Sequence, residues 1–366
     1  ASYGGNQEIV QILVDKEADV NAQGGYYGNA LQAASYGGNQ EIGGYYGNAL
    51  YAASYGGYQE IVQMLVDKGA DINAQGGKYG NALHAAISRG YQEIVQILVD
   101  KGADVNAQGG YYGNALHAAL SRGYQEIVQI LVGKGADVNA QGGVYGNALQ
   151  AALYGGNQEI VQILVNNGAD INAQGGVYGN ALQAASSKGY QEIVQILVDK
   201  RADVNAQGGY YGNALQAASY EGYQEIVQIL VDEGADVNAQ GGVYGNALQA
   251  ALYEGYQEII QILVDKGANV NAQGGVYGNA LQAASYEGYQ EIVQILVDKG
   301  ADVNAQCGYY GNALQAASYE GYQEIVQILV DKRADVNAQG GYYGNALQAA
   351  SYGGNQEIVQ ILVDEG

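Results

Sequence analysis

The chain has 366 residues, 48 % of them hydrophobic, which is enough apolar content for a continuous core. Its 14 Lys and Arg face 37 Asp and Glu, a net charge of −23, which argues against a nucleic-acid partner because such binders draw affinity from clustered cations. No apolar run approaches the roughly 18 residues of a membrane span, and the single cysteine, Cys307, excludes an intrachain disulfide and fits a reducing, cytoplasmic setting.

The sequence repeats itself every 33 residues. Its Gly-Asn step recurs at Gly47, Gly80, Gly113, Gly146, Gly179, Gly212, Gly245, Gly278, Gly311 and Gly344. A fixed period of this length marks a solenoid, in which each repeat buries its apolar face only against its neighbours. In chain order, residues 1–26 are a partial repeat, 27–45 a truncated one, 46–342 nine uninterrupted repeats, and 343–366 a second partial one. From Gly28 to Gly47 the spacing falls to 19, and the 14 missing residues correspond to most of a second helix and its loop. Neighbouring repeats are expected to lose apolar cover there, with a bend or frayed segment before about residue 46. Neither end carries a polar capping repeat, so the chain is expected to be a piece of a longer protein, with self-association available at the uncapped ends.

Within one repeat, G-N-A-L-Q-A-A-S-Y reads as a short first helix. Asn stands at its N-cap and Gln three residues on, the spacing of a capping box, and an Ala pair allows close approach. After a glycine, Y-Q-E-I-V-Q-I-L-V-D-K reads as a second helix with Ile127, Val128, Ile130, Leu131 and Val132 as its apolar set. Glu in its first turn and Lys in its last suit the helix dipole, and Gly102 supplies a left-handed stop. The remaining A-D-V-N-A-Q-G-G-Y-Y is too short for a third helix, and its Gly-Gly suits a tight turn in a hairpin-like finger.

These residues resemble the ankyrin repeat. G-A-D-V-N-A matches that family's loop, G-N-A-L-Q/H-A-A stands where the family has T-P-L-H-x-A-A, and the length agrees over the whole chain. Proline is absent, Asn replaces the motif's Thr, and only His84 and His117 keep its His. The resemblance implies an all-α ankyrin solenoid of helix-turn-helix repeats joined by fingers, and a role in protein–protein recognition rather than catalysis. In wording the array is most similar to near-identical ankyrin arrays of fungal proteins, often attached to a NACHT-type nucleotide-binding domain.

Chemical sites are scarce. Asp104, Asn106, Gln108 and Gly109 begin like a calcium loop, but Ala115 stands where that loop needs a bidentate Glu. His84 and His117, one repeat apart, make too small a ligand set for a metal, and the resemblance gives them loop-backbone hydrogen bonds instead. Cys307 replaces a finger glycine and is expected to be incidental, though open to oxidation. No nucleophile–base pair or phosphate-cradling loop interrupts the pattern; neither an enzyme nor a cofactor is expected.

Differences among the repeats gather in two places. One is the finger, at Lys78, Tyr111, Val144, Val177, Tyr210, Val243, Val276, Tyr309 and Tyr342. The other is the end of the first helix, at Ser88-Arg89, Ser121-Arg122, Ser187-Lys188, Tyr220-Glu221 and Tyr253-Glu254, with Glu287 and Glu320 in register. The second helix hardly changes. In ankyrin stacks the two variable regions line the concave, partner-facing side, so they form the expected protein-binding surface. Cations occupy its first part and carboxylates its second, a gradient that could orient an extended partner. A protein with a neutral or basic surface is the expected partner; a spacer or scaffold whose length alone matters is the alternative.

Overall fold

A computed structural model describes residues 6–22, 30–35, 47–142, 146–274 and 278–366. By internal packing the chain divides into two halves, residues 1–176 and 177–366, each built from the same helix pair and hairpin. In the N-terminal half α1 spans Gln7–Asp15 and α2 Ala30–Ser35, followed by the first complete pair, α3 (Ala49–Gly56) and α4 (Gln59–Asp67).

Each first helix is set by its asparagine. The Asn81 side chain accepts the His84 amide at 2.9 Å, and Asn213 accepts the Gln216 amide at 2.8 Å, a cap worth about 1 kcal/mol. The full capping box forms only at Asn180/Gln183 and Asn312/Gln315 among the described residues. With or without the box the glutamine amide serves the next finger: Gln183 Nε2 donates to the Gly212 carbonyl at 3.2 Å, Gln150 Nε2 to Gly175 at 2.6 Å and Gln249 Nε2 to Gly274 at 2.8 Å. A left-handed glycine such as Gly90 (φ +75°) ends the first helix, and the Tyr91 amide, donating to the Ala86 carbonyl, starts the second.

The core lies between the helices of successive pairs. In the C-terminal half Leu215, Ala217 and Ala218 from a first helix and Ile226, Val227 and Leu230 from a second are at most 1 % exposed. The second helix buries less than its composition suggests. Ile127, Val128 and Leu131 are buried, whereas Ile130 and Val132 are half-buried. At 3.6 residues per turn, positions i, i+1 and i+4 share a face, and i+3 and i+5 fall on its flanks.

The lysine expected in the last helical turn lies just outside it and points to the preceding repeat. Lys101 Nζ meets Asp67 at 2.9 Å and Lys134 meets Asp100 at 2.8 Å. In the C-terminal half Lys266, Lys299 and Lys332 repeat the pairing with Asp232, Asp265 and Asp298. Both partners are about half exposed, so each pair contributes roughly 0.2–1 kcal/mol.

A second ladder joins the loops. Asn238 Nδ2 donates to the Gly267 carbonyl at 3.1 Å, and its Oδ1 accepts the Asn269 amide at 2.7 Å; Asn73, Asn106, Asn205, Asn271 and Asn304 make the equivalent pair. The fingers are small hairpins. Strand β1 (Gln141–Gly142) pairs antiparallel with β2 (Gly146–Asn147), as β3 (Gln273–Gly274) does with β4 (Gly278–Asn279), while other fingers close through single bridges such as Gly208 with Gly212. Gly-Gly does more than turn the chain. Gly209 (φ +63°) lies so close to the preceding finger that a Cβ there would stand 2.2 Å from the Tyr178 carbonyl oxygen.

The shortened repeat is absorbed by an exchange of chain order. In an ordinary repeat the first residue of the second-helix turn donates back to the first helix five residues earlier, as Asn355 N does to Ala350 O. Here Asn6 N donates to Ala34 O at 3.2 Å, so α1, earlier in the chain, acts as the second helix for α2. The loop after α1 then joins the following repeat directly: Asn21 Nδ2 donates to Gly69 O at 3.2 Å and Asn21 Oδ1 accepts the Asp71 amide at 2.7 Å. Thus α1 packs beside α4 and supplies the cover expected to be missing. The rest of the expected bend or fray falls on residues 23–29 and 36–46, outside the described residues.

Candidate functional site

Within each half the variable finger residues and first-helix ends lie together, and finger tyrosines such as Tyr244 and Tyr343 insert between the helix ends of adjacent repeats. In the C-terminal half Tyr220 stacks on Tyr244 at 4.3 Å between ring centroids, and Tyr244 continues to Tyr253 at 5.6 Å. Farther along, Tyr286 stacks on Tyr310 at 4.8 Å and Tyr319 on Tyr343 at 4.5 Å, and Tyr343 reaches Tyr352 at 5.3 Å. Finger tips add an outer layer in which Tyr309 stacks on Tyr342 at 5.0 Å. Helix-end and finger tyrosines thus stack on one another in the C-terminal half.

Where the helix end carries a cation, it lies over one of these rings. In the N-terminal half Arg89 sits 4.7 Å above the centroid of Tyr55, Arg122 5.9 Å above that of Tyr112, and Lys78 5.5 Å above that of Tyr79. In the C-terminal half Lys188 lies 5.6 Å above Tyr178. Where the helix end carries a carboxylate, the environment is different. Glu221 accepts the Tyr211 hydroxyl at 2.5 Å, and burial together with that bond pushes the Tyr211 hydroxyl pKa up. Partial burial and the neighbouring Glu287 raise the Glu320 carboxyl above the usual carboxylate range.

Of the residues expected on this surface, Lys78, Arg89, Tyr111, Arg122, Val177, Lys188, Tyr210, Val243, Tyr253, Glu254, Tyr309 and Tyr342 are exposed, and Tyr220, Glu221, Glu287 and Glu320 are partly so. Val144 and Val276 lie outside the described residues. Ser88 and Ser187 do not belong there. Both are buried, and their hydroxyls donate to the carbonyls of Ala85 and Ala184, because a small side chain one residue before the helix end turns into the packing. Ser121 is partly buried and bonds its own helix in the same way. Missed from the sequence were Tyr244, Tyr310 and Tyr343. They are constant from repeat to repeat, so variation gave no signal for them, although a Tyr beside each finger Gly was visible.

Beneath the surface, one first-helix position ties it to the fingers. Besides the glutamines it holds Tyr51, His84 and His117. The Tyr51 hydroxyl accepts the Tyr79 amide at 3.1 Å, and burial pushes its pKa up to about 12. Burial lowers the His84 pKa to about 4, and its ring nitrogens make no hydrogen bond to a described residue. Burial also lowers His117, against opposing backbone contacts at Tyr112 and Ala140. Cys307 is half-buried. Its thiol donates to Gln282 Oε1 and accepts from Asn279 Nδ2, both at 3.1 Å, and burial pushes its pKa up, which disfavours the thiolate needed for rapid oxidation. Among the described residues no group of three or more His, Cys, Asp or Glu gathers to hold a metal, and no helix is long and apolar enough to cross a membrane.

A family model described as ankyrin repeats (3 copies) matches residues 1–76, 49–142, 117–208, 149–241, 182–274, 215–307 and 281–366. The chain belongs to the ankyrin-repeat family. Its paired helices and hairpin fingers are those of an all-α ankyrin array, a type of module that generally serves protein–protein interaction. No curated protein matches the chain.

Proposed function

We propose that this ankyrin array recognises a protein partner through the surface made by its finger tips and first-helix ends, and that it is the docking portion of a larger signalling protein. Stacked, partly exposed tyrosines of the C-terminal half, bordered by the positions at which the repeats differ, carry the reading. Aromatic rings offer large contact area with little conformational entropy to lose. The surplus of carboxylates favours a partner with a neutral or basic surface. Attachment to a NACHT-type ATPase, with partner binding relieving autoinhibition, is a further reading supported by wording alone.

The test is capture of partners by the full chain beside two variants. One replaces Arg89, Arg122, Lys188, Glu221, Glu254 and Glu287 with Ala; the other replaces the second-helix residues Gln63, Gln96, Gln195 and Gln228, each at least partly exposed, with Ala. Circular dichroism verifies that both remain helical. A partner lost only from the first variant supports the surface. Equal capture by all three, or none, favours a spacer, for which the Asn and Lys–Asp pairs within each half argue by fixing one repeat to the next.

A further inference from the structure

Two kinds of basic residue stand apart in the N-terminal half. Lys101 and Lys134, just after their second helices, are each paired with an Asp of the preceding repeat. Lys78, Arg89 and Arg122, on a finger and on first-helix ends, make no ion pair among the described residues, although the chain carries 37 carboxylates. Placement along the repeat explains the difference. Every described Asp and Glu of that half lies on a second helix, or on α1 in that role, or in the loop that follows; none lies on a first helix or a finger. The surface formed there by fingers and first-helix ends is charged with cations alone.

Tyrosine rings hold these cations in place. Tyr55 and Tyr79 stack at 5.8 Å, with Arg89 4.7 Å above Tyr55 and Lys78 5.5 Å above Tyr79, so both border one ring pair. Arg122 lies 5.9 Å above Tyr112, whose hydroxyl accepts one of its N–H groups; that bond, with the Tyr124 and Tyr79 hydroxyls nearby, raises the guanidinium pKa. All three basic side chains are exposed. Attraction to a ring face leaves the remaining N–H donors of a guanidinium, five in all, available to an acceptor. A guanidinium fixed in this way offers a fork to a carboxylate with little rotamer freedom left to lose.

Resting on the proposed recognition surface, we infer that Arg89, Arg122 and Lys78 bind the carboxylates of a short acidic segment of the partner protein, one carboxylate on each arginine and Lys78 assisting beside Arg89. Spacing makes this specific. Packed helix layers repeat at about 10 Å, and an extended peptide advances about 3.3 Å per residue. The third residue on from one seated carboxylate therefore reaches the next arginine, and the fitting pattern is Glu-x-x-Glu. The charge of −23 limits the ligand to a short segment. Its field repels every added anionic charge but is screened over about 8 Å, so two carboxylates in direct contact gain more than they lose, while a long polyanion does not. The partner as a whole stays neutral or basic, and the acidic segment is a local feature of it.

The probe is an end-capped fluorescent nine-residue peptide, Ser-Ala-Glu-Ala-Ser-Glu-Ala-Ser-Ala, titrated with the full chain and followed by anisotropy. Comparison ligands are the same composition with the two glutamates adjacent, the form with glutamine in their place, and a nine-nucleotide strand of thymidine. R89Q/R122Q removes both forks, and K101Q/K134Q removes two paired lysines of the same half at equal net charge; circular dichroism verifies that both variants remain helical. The spaced peptide is expected to bind about tenfold tighter than its glutamine form and severalfold tighter than the adjacent form. R89Q/R122Q is expected to weaken it about tenfold, while K101Q/K134Q leaves it within about twofold. Equal weakening by both variants would reduce the effect to net charge and overturn the inference. So would equal binding of spaced and adjacent peptides, tighter binding of the thymidine strand, or no binding of the peptide. If the peptide fails while the six-residue surface variant still loses a captured partner, the acidic-segment site falls and the recognition surface stands; if the peptide binds as expected while capture is equal for all variants, the reverse holds.

Discussion

Among the described residues Glu17, Arg201 and Arg333 occupy a backbone conformation that suits glycine, and replacing the two arginines should stabilise the protein. After each second helix the chain passes through a left-handed residue, Gly at 69, 102, 135, 168, 234, 267 and 300. Arg201 and Arg333 stand at the same position, each at φ +68°. For an L-residue the left-handed region costs roughly 1–2 kcal/mol, because Cβ crowds the following carbonyl. Glycine avoids that clash but loses about 0.5–1 kcal/mol more backbone entropy on folding. Neither arginine is buried, so little packing is lost. The Asn304 bond to the Arg333 carbonyl, at 3.4 Å, is also longer than its counterparts at glycine carbonyls, such as 3.0 Å at Gly135. Arg201→Gly and Arg333→Gly should therefore each gain about 0.5–1 kcal/mol. The assay is native-state hydrogen exchange of the flanking helices, Gln191–Asp199 and Gln323–Asp331, with urea unfolding of the whole chain in parallel. The double variant should slow exchange locally by about three- to fivefold in each region. Unchanged or faster exchange would mean that the arginine side chains contribute more than their backbone strain costs, and the argument would fail.

Three further outcomes follow from the same contacts. Gly209→Ala should destabilise its region by about 3 kcal/mol, since strain at φ +63° adds to collision with the Tyr178 carbonyl, whereas Gly234→Ala, with open space around its Cβ, should cost only about 1 kcal/mol; equal losses in urea unfolding would remove the finger-contact explanation. Asn238→Ala deletes two loop-ladder bonds in an exposed setting and should cost about 1–2 kcal/mol, while Gln228→Ala, which loses one exposed bond to Asp232, should stay within about 0.5 kcal/mol. For His84 the folded pKa, about 4, lies below the ordinary 6.5, so the unfolded chain binds the proton first. Its contribution is thus complete above pH 6.5 and is lost as the pH falls toward 4, roughly 2 kcal/mol by pH 5. His84→Gln should flatten that slope between pH 7 and 5 and install the glutamine of the other repeats; a slope identical to that of the parent would exclude His84 as its source.

The period, the helix pair and the finger are legible in the sequence because each depends on local signals: Asn before Ala-Leu, Gly after the helix, and apolar residues at helical spacing. What is not legible depends on the neighbouring repeat. Lys101 reads as a helix-dipole residue until Asp67 of the preceding repeat is seen beside it. Gln150 reads as half of a capping box, but its Nε2 also reaches a carbonyl of the next finger, a partner that only the neighbouring repeat supplies. Ser88 and Arg89 vary together and look equally exposed, yet the helix turns one inward and the other over Tyr55. Variation points to the edges of the recognition surface and passes over its constant tyrosines, because a residue required in every repeat for stacking cannot differ between them.

The shortened repeat shows how far this dependence on neighbours reaches. Losing 14 residues from a solenoid should open a gap in the second-helix layer, and with dissimilar repeats nothing else in the chain would fit it. Here every second helix presents nearly the same Gln-Glu-Ile-Val-Gln-Ile-Leu-Val-Asp face, so α1 can stand beside α4 as well as the missing helix would have done. Its loop brings the same asparagine to the same pair of backbone groups, at Gly69 and Asp71, although they lie 48 and 50 residues away. The order of α1 and α2 is reversed relative to the other described helix pairs, while α2 still packs on α3 and α1 on α4. Near-identity among repeats thus loosens the tie between chain order and stacking order: the period specifies interfaces, and the backbone needs only to be long enough to join them.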